Sequence, residues 1–200
     1  ERDPNYWGKS LPVNRGRYNF DIIQFDYYKD RTIEREAFKA GESDYLFENT
    51  SKDWAISYNI PAVEKGLIVK SQIPHQNPAG MQAFAFNIRR PMFSKRKVRQ
   101  ALAYAFDFEW TNKNLFYDAY TRSPSYFSNS ELACSGLPSQ NELEILTPFR
   151  DQLPPEVFNQ EYVPPKTDGS GNIRKHMRMA FRLLKENGWE VKDGKLTNNS

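Results

Sequence analysis

The alternation of apolar and polar positions along this 200-residue chain divides it into short runs of two kinds. From Tyr18 to Tyr28 (YNFDIIQFDYY), Phe20, Ile22 and Gln24 share one face and Asp21, Ile23 and Phe25 the other, the two-residue period of a strand. Both faces are partly apolar, which predicts a sheet covered on each side. Asp44 to Glu48 (DYLFE), Leu67 to Ile73 (LIVKSQI) and Met81 to Arg89 (MQAFAFNIR) read as further strands, the last closed by Pro91.

Between them the period changes. Thr32 to Ala40 carries Ile33, Ala37 and Phe38 or Ala40 on one side of a helix that Gly41 stops. Ser51 is placed to cap a short helix carrying Trp54, Ile56 and Tyr58, and Pro61 to Lys65 adds a turn. The strongest pattern follows Ser94, read as an N-cap, with Val98, Ala101, Leu102 and Ala105 at three-four spacing. Asp107 interrupts this helix before Trp110 to Tyr117 continues. A last amphipathic helix carries Ile173, Met177, Ala180, Phe181 and Leu184, with Asn172 read as its cap and Gly188 as its end. Asp193-Gly194 between Trp189-Glu190-Val191 and Lys195-Leu196-Thr197 is a hairpin signal.

Strands separated by helices predict an α/β layered sheet. The organisation follows as an irregular lead-in over residues 1–17, an α/β core over 18–120, a Pro-rich wrapping segment over 121–171, and a helix with a hairpin over 172–200. Within the Pro-rich segment only Glu142 to Leu146 and Glu156 to Phe158 look helical. A structureless stretch of that length is expected to wrap a surface, its own or a partner's.

Composition narrows the function classes. A formal charge of +3 is too small for the concentrated cationic stripe of a nucleic-acid binder, and the densest run, Lys95-Arg96-Lys97 with Arg99, reads as a solvated helix face. No apolar run reaches the roughly 20 residues of a spanning helix. The first residue is Glu1 rather than Met, which is read as a mature product or an excised piece. One cysteine, Cys134, excludes an intrachain disulfide and a cysteine metal cage. His75 and His176 have no nucleophile in a recognisable setting, and Cys134 lacks a strand-turn-helix context. There is no GxGxxG and no GxxxxGK[ST], and Asp168-Gly169-Ser170-Gly171 lacks the later oxygen ligands of a calcium loop. The carboxylate pairs Glu34 with Glu36 and Glu142 with Glu144 read as solvated helix faces. The reading is of a chain that is not an enzyme and takes no cofactor. With 14 Phe, 11 Tyr and 4 Trp, the rings serve mainly a mixed core, and some could line a cleft for a bulky organic ligand.

Three segments in fixed order are more specific: Glu1-Arg2-Asp3-Pro4-Asn5-Tyr6-Trp7-Gly8; Ala37-Phe38-Lys39-Ala40-Gly41-Glu42-Ser43-Asp44-Tyr45; and Phe86-Asn87-Ile88-Arg89-Arg90-Pro91-Met92-Phe93 running into Val98-Arg99-Gln100-Ala101-Leu102-Ala103-Tyr104-Ala105-Phe106-Asp107. Together they resemble the bacterial extracellular solute-binding proteins of family 5, the oligopeptide- and dipeptide-binding components of ABC importers. Leu11 to Asp21 and Ala105 to Trp110 (AFDFEW) point to the YejA-like branch. The same residues have local explanations as helix-on-sheet packing, so they mark a scaffold before a function.

The resemblance implies a periplasmic-binding-protein-like (type II) lobe, a mixed sheet flanked by helices, present here as the first portion of a second lobe and therefore incomplete. It implies a periplasmic protein, or one lipid-anchored at the outer face of the cytoplasmic membrane. Its partners would be a peptide ligand trapped between lobes, a cognate ABC permease in the inner membrane, and the rest of the parent chain, with no nucleic acid. Locally, Asn87, Arg89 and Arg90 stand where a strand ends and are the candidate ligand-binding residues, Arg89 as a partner for a peptide carboxylate or carbonyl. They compete with a reading as surface or lobe-interface charges, and Tyr6-Trp7 reads as packing. Alternatives are a non-peptide solute (nickel chelate, sugar, opine or haem) on the same scaffold, or a protein-interaction module docking through Ser123 to Pro165.

Overall fold

The computed structural model describes residues 1–17 and 19–198. Tyr18, the first residue of the first predicted strand, and Asn199 and Ser200 lie outside the described residues. In chain order the helices are α1 (Arg31–Lys39), α2 (Ser51–Ile56), α3 (Pro61–Glu64), α4 (Pro91–Ser94), α5 (Arg96–Ala105), α6 (Phe108–Leu115), α7 (Gln140–Leu146), α8 (Glu156–Asn159) and α9 (Arg174–Glu186). The strands are β1 (Trp189–Lys192) and β2 (Lys195–Asn198), and short 3-10 turns occupy Pro12–Asn14 and Thr147–Gln152. Two compact units result, Glu1–Glu48 with Ile60–Val69, and Asn49–Asn59 with Lys70–Ser200.

In the first unit, α1 begins at Arg31 rather than at Thr32, with Asp30 as its cap. The Asp30 carboxylate accepts from the backbone N–H of Thr32 at 2.7 Å and of Ile33 at 3.2 Å, two of the donors a helix start leaves without partners. Gly41, at φ +85°, ends the helix as its sequence predicts. On the inner side Glu48 closes onto two turns of α1: its Oε2 lies 3.4 Å from Arg35 Nε and its Oε1 3.9 Å from Arg31 Nη2. Arg31 also donates to the Phe47 carbonyl. The Arg35 and Glu48 side chains are only 10% and 4% exposed, so this is a buried ion pair tying 47–48 to the helix.

In the second unit the core is the packing of α5 on α9, through Val98, Ala101, Ala180, Leu183 and Leu184, with Tyr104 and Trp189 against it. The small Ala101 (0% exposed) and Ala180 let the helices approach closely. The hairpin folds as its sequence predicts: Trp189 faces Asn198, Val191 faces Leu196, and Asp193 and Gly194 both take positive φ, the turn that matches strand twist. Gly188, at φ +86°, leads into β1 with Asn198 Oδ1 where a Cβ would approach to 3.2 Å.

The N-caps differ from expectation at three helices. Ser51 is the first residue of α2 and Thr50 the cap. Ser94 ends a separate turn, α4, where its hydroxyl donates to the Pro91 carbonyl, and Lys95 becomes the cap residue of α5. Ile173, not Asn172, precedes α9; Asn172 Oδ1 accepts from Arg174 N. Asp107 interrupts the α5–α6 run as predicted, by capping α6 at the Trp110 N–H.

The Pro-rich segment is tied to α6. Thr167 donates its hydroxyl to Asp107 Oδ1 at 2.6 Å and its N–H to Glu109 Oε2 at 3.0 Å, and Arg122 donates to the Pro165 carbonyl. Gly171 lies so close to the Trp110 indole that a Cβ there would meet it at 3.1 Å. Ser139 and Glu142 form a reciprocal capping box at α7.

The predicted strands at 19–28, 44–48, 67–73 and 81–89 are not paired: among the described residues the one sheet is β1 with β2. Their apolar side chains, including Phe20, Ile22, Phe25, Tyr45, Phe47, Leu67, Val69, Ile73, Phe84 and Ile88, are exposed. A strand is a pairing between segments, and alternation in one segment specifies a face but supplies no neighbour for its N–H and C=O groups.

Two caps make stability pH-dependent. Asp30 is held below the usual carboxylate range by the Thr32 and Ile33 N–H groups, and Glu142 by the Ser139 hydroxyl and then its backbone N–H. A carboxyl with a lowered folded pKa contributes stability that is complete above the unfolded value and lost as pH falls through the folded one. The urea midpoint should therefore drop between about pH 5 and about pH 2. Asp30→Asn with Glu142→Gln should make that drop shallower; an unchanged profile would show these caps to be uncoupled from folding.

Candidate ligand-binding site

Asn87, Arg89 and Arg90 fall in one turn but do not act alike. Asn87 builds the turn: its carbonyl accepts from Arg90 N at 3.0 Å and its Oδ1 from Arg89 N at 3.2 Å. Arg89 folds back, donating its Nε to the same Oδ1 at 3.4 Å. Arg90 is the cap residue of α4, with Pro91 at the first helical position. Among the described residues its guanidinium makes no hydrogen bond or ion pair, and it rims a groove of about 560 Å³. The Phe86 and Phe93 rings, 5.2 Å apart, brace the two sides of this turn.

Pro91, Met92 and Val98 on one side of the groove meet Trp189, Leu196, Thr197 and Asn198 of the hairpin on the other, with Lys95 beside Arg90 on the rim. Lys95 Nζ reaches the Asn187 carbonyl at 3.4 Å, closing one end. The charged lining is Arg90 and Lys95; no Asp or Glu takes part. The first turn of α5 adds Arg96 and Lys97 with no acidic residue against the positive end of the helix dipole. Arg96 lies 3.4 Å from Glu156, whose carboxyl is held below the usual range first by its own backbone N–H and then by Arg96.

Nothing in the local sequence joins Trp189 and Leu196 to Arg90 and Lys95. Roughly a hundred positions separate the two walls, and only the packing of α5 on α9 brings them together.

The other residues with candidate chemistry are dispersed. His75 Nδ1 accepts from Asn77 N in an exposed turn. His176 lies edge-on to Tyr104, centroids 5.5 Å apart, with Nδ1 buried and without a hydrogen bond. Cys134 is exposed, its N–H donated to the buried Ser125 hydroxyl. Among the described residues no cluster of three or more His, Cys, Asp or Glu could hold a metal, and no helix is long and apolar enough to cross a membrane. In the first unit the Tyr6 ring folds over Gly8 and lies 5.7 Å from Trp7. The groove of about 760 Å³ beside it carries Arg2, Lys9 and Arg17 together with Glu1, Asp3 and Asp21, so it selects no sign of charge.

Residues 1–199 match the family described as bacterial extracellular solute-binding proteins, family 5 Middle. The chain belongs to that family. It is 47% identical over 191 residues to the protein YejA of Escherichia coli K12, covering 96% of this chain and 32% of the relative. It is 42% identical over 200 residues to a probable peptide-binding protein YejA of Agrobacterium fabrum, covering 99% of this chain and 33% of that one. A peptidoglycan-binding protein YepA of the same organism is 40% identical over 205 residues, with 98% and 33% covered. The chain thus spans about a third of the length of these curated relatives. Family 5 is a family of extracellular binding proteins and not of enzymes, and the helices with a small antiparallel sheet seen here are an incomplete α/β lobe of that family.

Proposed function

We propose that this chain is part of a periplasmic substrate-binding component of an ABC importer, one that captures peptides and delivers them to a membrane permease without breaking a bond. The observation that carries this reading is the family match over nearly the whole chain, joined by 42% identity to a relative named as a probable peptide-binding protein. The chain would form the first portion of the second of two lobes that close on the ligand. Residues 19–28, 44–48, 67–73 and 81–89 would then be sheet strands paired by the rest of the parent chain, which accounts for their exposed apolar faces. Asn87 would shape the turn at the cleft, with Arg89 and Arg90 supplying charge to it.

Calorimetry on the parent-length protein tests the reading. Peptide mixtures should bind tightly, whereas the 200-residue chain alone should bind only weakly, because much of the cleft lies elsewhere. Tight binding of sugars or chelated nickel with no response to peptides would overturn it. A second reading, capture of a peptide joined to a glycan, is favoured by the relative named as peptidoglycan-binding. Under that reading a muropeptide should bind at least tenfold more tightly than its free peptide, about 1.4 kcal/mol.

A further inference from the structure

We infer that the groove between α4–α5 and the hairpin is a subsite for the C-terminal residue of a peptide, with Arg90 and Lys95 holding its carboxylate over an apolar floor of Val98, Trp189 and Leu196. The inference rests on the peptide-capture reading and names which end of the ligand this surface takes.

The argument is one of charge and shape. The charged lining is entirely cationic, and the Arg90 guanidinium, with five donors in a planar fork, makes no bond within the described chain. Lys95 donates once, to a neutral carbonyl, and its charge is not neutralised by an acid there. The adjoining first turn of α5 carries no acid of its own and adds Arg96, which Glu156 offsets, and Lys97, so with Arg90 and Lys95 the cations outnumber the anions and an arriving carboxylate would be drawn to the rim. Arg96 is excluded from the subsite because Glu156 engages it.

Beneath the charges the surface is apolar. Val98 is buried, Trp189 is half-buried against the α5–α9 core, and Leu196 and Met92 are open to solvent at its edges. A side chain of leucine size covering them would remove apolar area from water while its carboxylate reached the rim. Neutral polar groups would gain little from a cationic rim, and a cationic terminus would be repelled.

The 200-residue chain, labelled with nitrogen-15, is titrated with Ala-Ala-Ala-Leu as free acid and as C-terminal amide, following the indole N–H of Trp189. The free acid should shift this signal saturably and the amide about tenfold more weakly, the loss of a charge-assisted hydrogen bond. Arg90→Gln should abolish the difference between acid and amide. Equal responses to acid and amide would overturn the carboxylate assignment. Shifts confined to other residues would overturn the groove and leave peptide capture standing. No response anywhere would overturn the subsite, while peptide capture is judged separately by calorimetry on the parent protein.

Discussion

Glu48→Ala should unfold or nearly unfold the first unit, at a cost of about 3 kcal/mol, the range for removing one member of a buried ion pair. The cost arises because Arg35 is 10% exposed and Glu48 only 4%: truncating the acid leaves a guanidinium out of water without the anion facing its Nε. Arg31 loses its longer-range contact to the same carboxylate, which leaves its bond to the Phe47 carbonyl to hold 47–48 against α1. The check is urea unfolding with hydrogen exchange at the α1 amides, which should lose protection first. Joint replacement by Arg35→Met and Glu48→Leu should recover much of the loss, since an apolar pair of similar volume needs no desolvation of charge. If Glu48→Ala is as stable as the parent sequence, the pair is incidental.

Leu184→Ala should cost the second unit about 3 kcal/mol as well. Leu184 lies in the only cluster of buried apolar residues among those described, and its neighbours Ala101 and Ala180 are too small to close over a void. The loss should appear in the thermal midpoint and in the indole signal of Trp189, which rests on that cluster and also lines the groove. A variant that kept its midpoint would mean the helices collapse around the gap, contrary to a rigid α5–α9 contact.

The two variants act on what sequence conveys least. Helices and hairpin are legible because their signals are local: three-four spacing in α5 and α9, Gly41 after α1, Asp193-Gly194 in the turn. Caps are legible only to within a residue or two, since several polar residues compete for one position. At Ser94 the competition was decided by Pro91, which opens its own turn and takes the hydroxyl. Strand pairing is not local at all, so the runs at 19–28 and 81–89 announce faces and leave their neighbours unnamed. The site shows the same limit. Arg90 could be singled out at the end of an apolar run with Lys95 five residues on, but its companions Trp189 and Leu196 depend on a helix contact that joins distant parts of the chain.

The unpaired apolar runs carry a consequence for biosynthesis. A ribosome delivers residues 19–28 and 44–48 long before α9 is made, and each is a short, β-prone stretch able to zip onto an identical copy. Acidic and basic residues punctuate them, Asp21 and Asp26 in the first with Lys29 directly after it, and Asp44 and Glu48 at either end of the second. Such charges repel stacking in register and act as gatekeepers against fibrils while the chain waits to be completed.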